Sequence, residues 1–509
     1  MKELFFVGLL MCALPLMAQQ SSFDAFKQQQ NSKFNQFKEN KQADFDAFRK
    51  RVNEEYADFM RQAWKEFPVH EAEKPKKEPI VEPVVYEPKP EEEKPLPKED
   101  IKPLDSPKPK VETQPVQIAV QPKVMVVPKP TPTPEPIAPV KPKEESYKKV
   151  SIGFYGAIIT IGFPLNDNLK LRALDENAVA DAWTQLSDAR YDISVKTALD
   201  ARKANNLCDW AYLKMLQAVT EKQYGKTNEA ILAQAFLLVQ SGYRIRLATG
   251  NGQLRLLIAS LYDIFDFSYF TINGEKFYNI SGEHGAKLRI CESKYDKERS
   301  LSMQISSLPK LGVEQTPKRT LTSKKGVTAS VSLNKNLIDF FNNYPQACFN
   351  GDQNTRWAAY ANTPVEKAVK DMLYPPLKKT ISGMNEKEAV GILLNWVQTA
   401  FEYGYDDKIW GDDRAFFAQE TLYYPYSDCE DRAILFSRIV RDILGLDVVL
   451  LHYPGHLATA VAFNEDVNGD YFNYKNRKYV VCDPTYINAG VGRTMPGMNN
   501  QAAQIVALK

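Results

Sequence analysis

Three residues near the C-terminus could carry covalent chemistry together: Cys429 in SDCEDRAILF, His456 in YPGHLATAV and Asp483 in VVCDPTY. A thiol is a weak nucleophile until a base takes its proton. An imidazole can be that base, and a carboxylate can fix the ring and support the imidazolium. Each residue also has a plainer reading. Free cysteines are most often buried core thiols. His456 could be a satisfied core histidine, and His452 is a second candidate imidazole. Asp483 before Pro484 could be only a turn former. Glu430 and Asp431 read as helix-start charges, braced against an arginine.

The elements that must deliver these groups are legible. Ala433, Ile434, Phe436, Ile439, Val440, Ile443 and Leu444 form one apolar helix face. Ser427 or Asp428 can cap the helix start, and Gly445 stops it. Cys429 is therefore expected in the first turn, where the helix dipole predicts a lowered thiol pKa. A strand over 447–451, a turn at Pro454-Gly455 and a second strand opening at His456 follow. KYVVCDPTY predicts a third strand that ends at Asp483, because Pro484 interrupts regular pairing.

Taken together, DCEDRAILF, the Gly455-His456 pair and CDPT at 482–485 resemble the transglutaminase-like superfamily, which has a papain-like fold. Its members use Cys, His and Asp in that chain order. The likeness covers roughly residues 360–509. It implies Cys429 as nucleophile, His456 as base and Asp483 as orienting carboxylate. It implies no cofactor and no metal. One oxyanion donor would be the backbone N–H of Cys429. Family members often use a Trp or Gln side chain as the second, and Gln419, Tyr423, Tyr424 and Trp410 are the candidates here.

The rest of the chain sets the context. It has 509 residues, 25% charged, with a formal net charge of +2, which gives no support to a bulk polyanion binder. Residues 1–18 read as a secretory signal peptide: Lys2, an apolar run over 4–17, then Ala18. The expected location is periplasmic, at the cell surface or extracellular, with no later membrane span. Five cysteines would remain after cleavage, so at least one thiol is unpaired within a monomer.

Residues 19–67 carry an 11-residue repeat, with aromatics at Phe23, Phe34, Phe45, Tyr56 and Phe67 and again at Phe26, Phe37, Phe48 and Phe59. That period keeps the aromatic pairs on one narrow helix face. It predicts a coiled coil that forms a homo-oligomer through residues 23–67, or a helix folded back on the body. Residues 68–148 are a proline-rich linker holding 20 of the 32 prolines, read as a semi-rigid spacer. Beyond it the pattern mixes segregated helices with antiparallel strands, an α+β fold. VSIGFYGAIITIGF reads as strand, 175–240 as helix, 254–280 as strands with a turn at Asn273-Gly274, and 364–400 as helix.

Residues 226–260 align without gaps to 429–463, with eight of 35 positions identical. Lys226, Gln253 and approximately Ser281 stand at the three key positions. Residues 149–300 therefore read as a degenerate, catalytically silent transglutaminase-like domain, joined by a β-rich segment over 301–359 to the catalytic domain at 360–509. The expected function is an exported cysteine peptidase or amidase that attacks amide bonds of peptides or proteins through a thioester, with those of the cell envelope among the candidate substrates. Two alternatives remain open: a protein-glutamine transamidase that cross-links, and a non-catalytic envelope scaffold. No nucleic-acid partner is expected.

Overall fold

The computed structural model describes residues 43–87 apart from 45 and 78, and residues 147–509 apart from 282–286 and 295–296. The signal-peptide reading and most of the 11-residue repeat lie outside the described residues. So do residues 88–146 of the linker. Among the described residues, no helix is long and apolar enough to cross a membrane.

The fold mixes α-helices and antiparallel strands, with helices and sheets in separate layers as an α+β chain requires. VSIGFYGAIITIGF forms a hairpin rather than one strand: Lys149–Phe154 pairs with Ala157–Gly162 across Tyr155-Gly156, both at positive φ. Four helices follow, Glu176–Ser187, Tyr191–Ala204, Asp209–Tyr224 and Asn228–Gln240. Asn228–Gln240 packs on a six-stranded sheet in the order Lys65–Phe67, Leu288–Ile290, Ile245–Gly250, Gln253–Ala259, Glu275–Asn279, Tyr269–Ile272, while Tyr191–Ala204 and Asp209–Tyr224 pack on the hairpin. Asn273-Gly274 makes the expected tight turn, because both residues adopt the left-handed conformation that such a hairpin needs.

A five-stranded sheet lies in the second half, in the order Gln504–Ala507, Asp447–Tyr453, His456–Ala462, Arg477–Cys482, Tyr471–Tyr474. Five positions of the two sheets correspond in order, chain direction and connection. Each core hairpin follows a long helix that ends beside a positive-φ glycine, Gly242 at 89° and Gly445 at 69°. The hairpin registers also match at an offset of 203, with Gly250 opposite Gln253 and Tyr453 opposite His456. The next strand is shifted by one residue: Leu257 faces Asn279, whereas Ala460 faces Val481. That shift puts Ser281 where Asp483 stands.

The two halves share one apolar core, and Tyr262–Ile264 of the first pairs with Ala347–Phe349 of the connecting segment. Two N-terminal pieces also join this body. Helical residues 46–60 bury Asn53, Tyr56, Ala57 and Met60, and Tyr56 stacks on Trp183 at 4.7 Å. Phe48 and Phe59 stay exposed, so the two aromatic series part company here rather than sharing one buried face. Residues 68–87, read as spacer, instead run along the body. His70 bridges Tyr269, and Val85 bridges Ile487.

Candidate active site

The helix Cys429–Leu444 is built as its sequence dictates. Ala433, Ile434, Phe436, Ile439 and Val440 are fully buried on one face, each large side chain contributing ~1.5–3 kcal/mol by leaving water. That face lies on the strands Asp447–Tyr453 and His456–Ala462. Asp428 stands at the N-cap and donates its backbone N–H to the Asp431 carboxylate at 3.3 Å. Gly445 closes the helix in the left-handed conformation, which a Cβ would strain.

This scaffold brings the three predicted residues together. Cys429 and His456 line one cleft, with Gly455 and Leu457 beside them. The His456 ring meets Asp483 through Nε2 and Oδ2 at 2.8 Å, with both side chains 1% exposed. The other Asp483 oxygen accepts the backbone N–H groups of Thr485 and Tyr486 at 2.9 and 3.2 Å. Gln398, from the helix Glu386–Thr399, clamps that turn. Its Nε2 faces the carbonyls of Asp483, Tyr486 and Ala489 at 2.8–3.0 Å.

The sulfur has a different environment from the one the helix dipole suggests. Cys429 donates its S–H to Glu430 Oε2 at 3.1 Å. Burial, and then the Glu430 and Asp428 carboxylates, push the thiol well above its ordinary pKa. The Leu457 backbone N–H, facing the sulfur, opposes this. The expected lowering is therefore reversed, because buried like-signed neighbours outweigh one helix end. The five described cysteines are free thiols; four are buried and Cys429 is partly exposed.

Around the sulfur lies an acidic cluster that the sequence did not reveal. Carboxylate oxygens of Asp406, Asp413 and Glu430 lie within 4.8 Å of one another, and so do those of Asp406, Asp428 and Asp431. Among the described residues these are the groups whose donors could hold a cation. Burial, then the Glu430 charge, raises Asp406 to about 8. Arg356, fully buried, offsets part of the charge through a 2.6 Å bond to Asp413. Arg432 does not. It donates to Ser427 Oγ and to the carbonyls of Gln398 and Phe401 at 3.0–3.1 Å, bracing the loop that leads into the site.

None of the four expected oxyanion side chains lines the cleft. Gln419 is buried and spent on Glu366, to which it bonds twice at 2.7 and 3.0 Å. Trp410 and Tyr424 pack on each other, and the Tyr424 hydroxyl donates to Asn342. Tyr423 packs on Tyr424. Tyr403 lines the cleft instead. Its short strand Glu402–Tyr403 pairs in parallel with Tyr426–Ser427, setting Tyr403 opposite Ser427, two residues before Cys429. Burial and then the Cys429 charge raise the Tyr403 hydroxyl, so it stays a proton donor near the sulfur. Trp357 also lines the cleft, with the His452 ring set edge-on against it at 4.8 Å.

In the first half, Lys226, Gln253 and Ser281 line one polar cavity of ≈ 490 Å³. The helix there starts two residues later than its counterpart, at Asn228 behind an N-cap Thr227. Ser281 Oγ accepts the Leu256 backbone N–H at 2.9 Å.

Comparisons with family models, with curated proteins and with solved structures find no match to this chain.

Proposed function

We propose that the second half is a transglutaminase-like cysteine hydrolase acting on amide bonds of peptides or proteins, and that the chain is exported. One observation carries this reading: a buried His456–Asp483 pair opens into the same cleft as Cys429, delivered by one helix start and two adjacent strands.

Asp483 holds His456 Nε2, which leaves Nδ1 as the proton acceptor. As substrate enters, the Cys429 proton passes to Nδ1 and the sulfur bonds to the carbonyl carbon. The oxygen gains the electron pair, held by the Cys429 backbone N–H and the Tyr403 hydroxyl. The C–N bond then breaks, His456 gives its proton to the amine, and a thioester remains. Water, deprotonated by His456, cleaves that thioester and restores the thiol. At rest the thiol is protonated and parked on Glu430, so the nucleophile forms only when substrate displaces that contact.

On this reading the first half is a silent copy. Its matching strand order and its shared cavity at Lys226, Gln253 and Ser281 support that origin. A non-catalytic binding protein is the second reading, favoured by the Glu430 bond and the raised thiol. Activity-based labelling of wild type and Cys429→Ala, with peptide-amide hydrolysis and amine incorporation followed in parallel, separates them. A Cys429 that forms no thioester with any acyl donor, both in wild type and in variants that displace the cleft-lining residues 79–81, removes the enzyme reading.

A further inference from the structure

Residues 79–86 read PIVEPVVY and cross the face of the molecule that holds Cys429. They are anchored at both ends. Upstream, His70 exchanges backbone bonds with Tyr269 at 2.8 and 3.1 Å. The Glu73 carboxylate accepts from the Tyr269 hydroxyl and from Lys276, both at 2.9 Å, and Lys74 bonds Asp412. Downstream, the Ile487 N–H donates to the Val84 carbonyl at 2.9 Å, and the Tyr86 N–H donates to the Ile487 carbonyl at 2.7 Å. The Tyr86 ring meets Tyr486 edge-on at 5.8 Å. Val81, Val84 and Tyr86 pack on an apolar cluster of Tyr486, Ala489 and Met495.

Between these anchors, Pro79, Ile80 and Val81 form a wall of the cleft shared with Cys429 and His456. Contact with Gly455, the residue before His456, is close. A Cβ there would collide with the Pro79 carbonyl oxygen and come within 3.1 Å of Val81 Cγ2. The space left is ≈ 170 Å³, well below the ~300 Å³ at which small-molecule sites begin. A peptide reaching Cys429 would compete with this segment for the same wall of the cleft.

We propose that residues 79–86 occupy the substrate groove of Cys429 as an extended peptide would, so that the chain closes its own active site until the segment is displaced. The proposal rests on the amide-hydrolase reading and deepens it by naming the ligand class: an extended peptide with proline and β-branched apolar residues. The recognition is a parallel backbone bridge at Ile487, with those bonds giving affinity and side-chain contacts giving choice. Prolines at 79 and 83 keep the segment extended before it binds, which lowers its ordering cost. The same residues 483–489 that fix the catalytic carboxylate thus form the docking edge.

The test compares wild-type full-length protein with Val81→Asp/Tyr86→Ala and with the milder Pro79→Ala/Pro83→Ala, whose changed positions lie on the segment itself. Alkylation of Cys429 by iodoacetamide is followed by mass spectrometry. Release of a segment closed in ~90% of molecules raises the rate ~10-fold. A synthetic PIVEPVVY peptide then restores protection in both variants. Unchanged rates in both variants overturn the closure, and a rise that the peptide does not reverse overturns its substrate-like binding. A rise with peptide protection but without hydrolysis of any peptide amide leaves the closure standing and removes the hydrolase reading instead.

Discussion

The His456 imidazole and the Asp483 carboxylate meet at 2.8 Å with both side chains almost wholly out of water. A lone buried carboxylate or imidazolium would be costly there, so each needs the other. Asp483→Asn keeps an acceptor oxygen for the Thr485 and Tyr486 backbone N–H groups but loses the charge that supports the imidazolium. Its rate of thioester formation is expected to fall by ~10⁴ with little change in melting temperature. Asp483→Ala also opens the turn and is expected to lose ~3–5 kcal/mol of stability. Stopped-flow acylation beside thermal denaturation checks the pair. Equal stability loss in both variants would sink the division of roles.

Tyr403 is the side chain assigned to the forming oxyanion. Tyr403→Phe removes one donor while keeping the ring against Arg432, whose guanidinium lies 5.2 Å from the ring centroid. Loss of a single oxyanion donor costs ~10²–10³ in kcat, with KM nearly unchanged because the ground-state carbonyl gains little from it. A change confined to KM would place Tyr403 in binding instead.

The thiol should titrate late. Burial and the Glu430 and Asp428 charges raise its pKa, so alkylation of wild-type Cys429 is expected to climb with pH through and beyond the ordinary thiol range. Glu430→Gln removes one negative neighbour and the contact that parks the S–H. Its pH–rate profile is expected to move toward lower pH, with faster alkylation at pH 8. A profile that stays put, measured in the Val81→Asp/Tyr86→Ala background, speaks against Glu430 as the group that holds the proton on sulfur.

Local signals in the sequence were sufficient for the elements and for the convergence of Cys429, His456 and Asp483. The apolar face over 433–440, the Gly445 stop, the Pro454-Gly455 turn and the Pro484 strand end are each short-range, and each is where its pattern puts it. What was not legible is what tertiary contact decides. Tyr403, Arg356, Asp406 and Asp413 reach Cys429 from separate segments and leave no periodic trace. Asp428 and Glu430 were in plain view beside the cysteine, but their burial was not, and burial turns two helix-start charges into the cause of a raised thiol. Residues 79–86 have the composition of a linker. Only their contacts with Gly455 and Ile487 show that they are seated.

The acidic cluster makes stability depend on pH in a direction opposite to that of a salt-bridged carboxylate. Asp406 has a folded pKa of about 8 against an ordinary 3.8. Between those values the folded chain holds the proton more tightly than the unfolded chain, so stability falls as pH rises from about 4 to about 8 and is level above. Asp428 and Asp431 are displaced in the same direction by burial and by the Glu430 and Asp406 charges, and Glu430 by burial and by Asp413. Asp406→Asn keeps an acceptor for the Arg414 backbone N–H, which bonds Oδ2 at 2.6 Å, and removes the charge. The variant is expected to melt near the wild type at pH 4 and above it at pH 8, by up to several kcal/mol, on the order of 1.4 per pH unit of displacement. Denaturation is followed across that range with chelator present, so that no cation neutralises the cluster. A gap that is flat with pH, or that favours the wild type at pH 8, would show that these carboxylates do not repel one another in the folded protein.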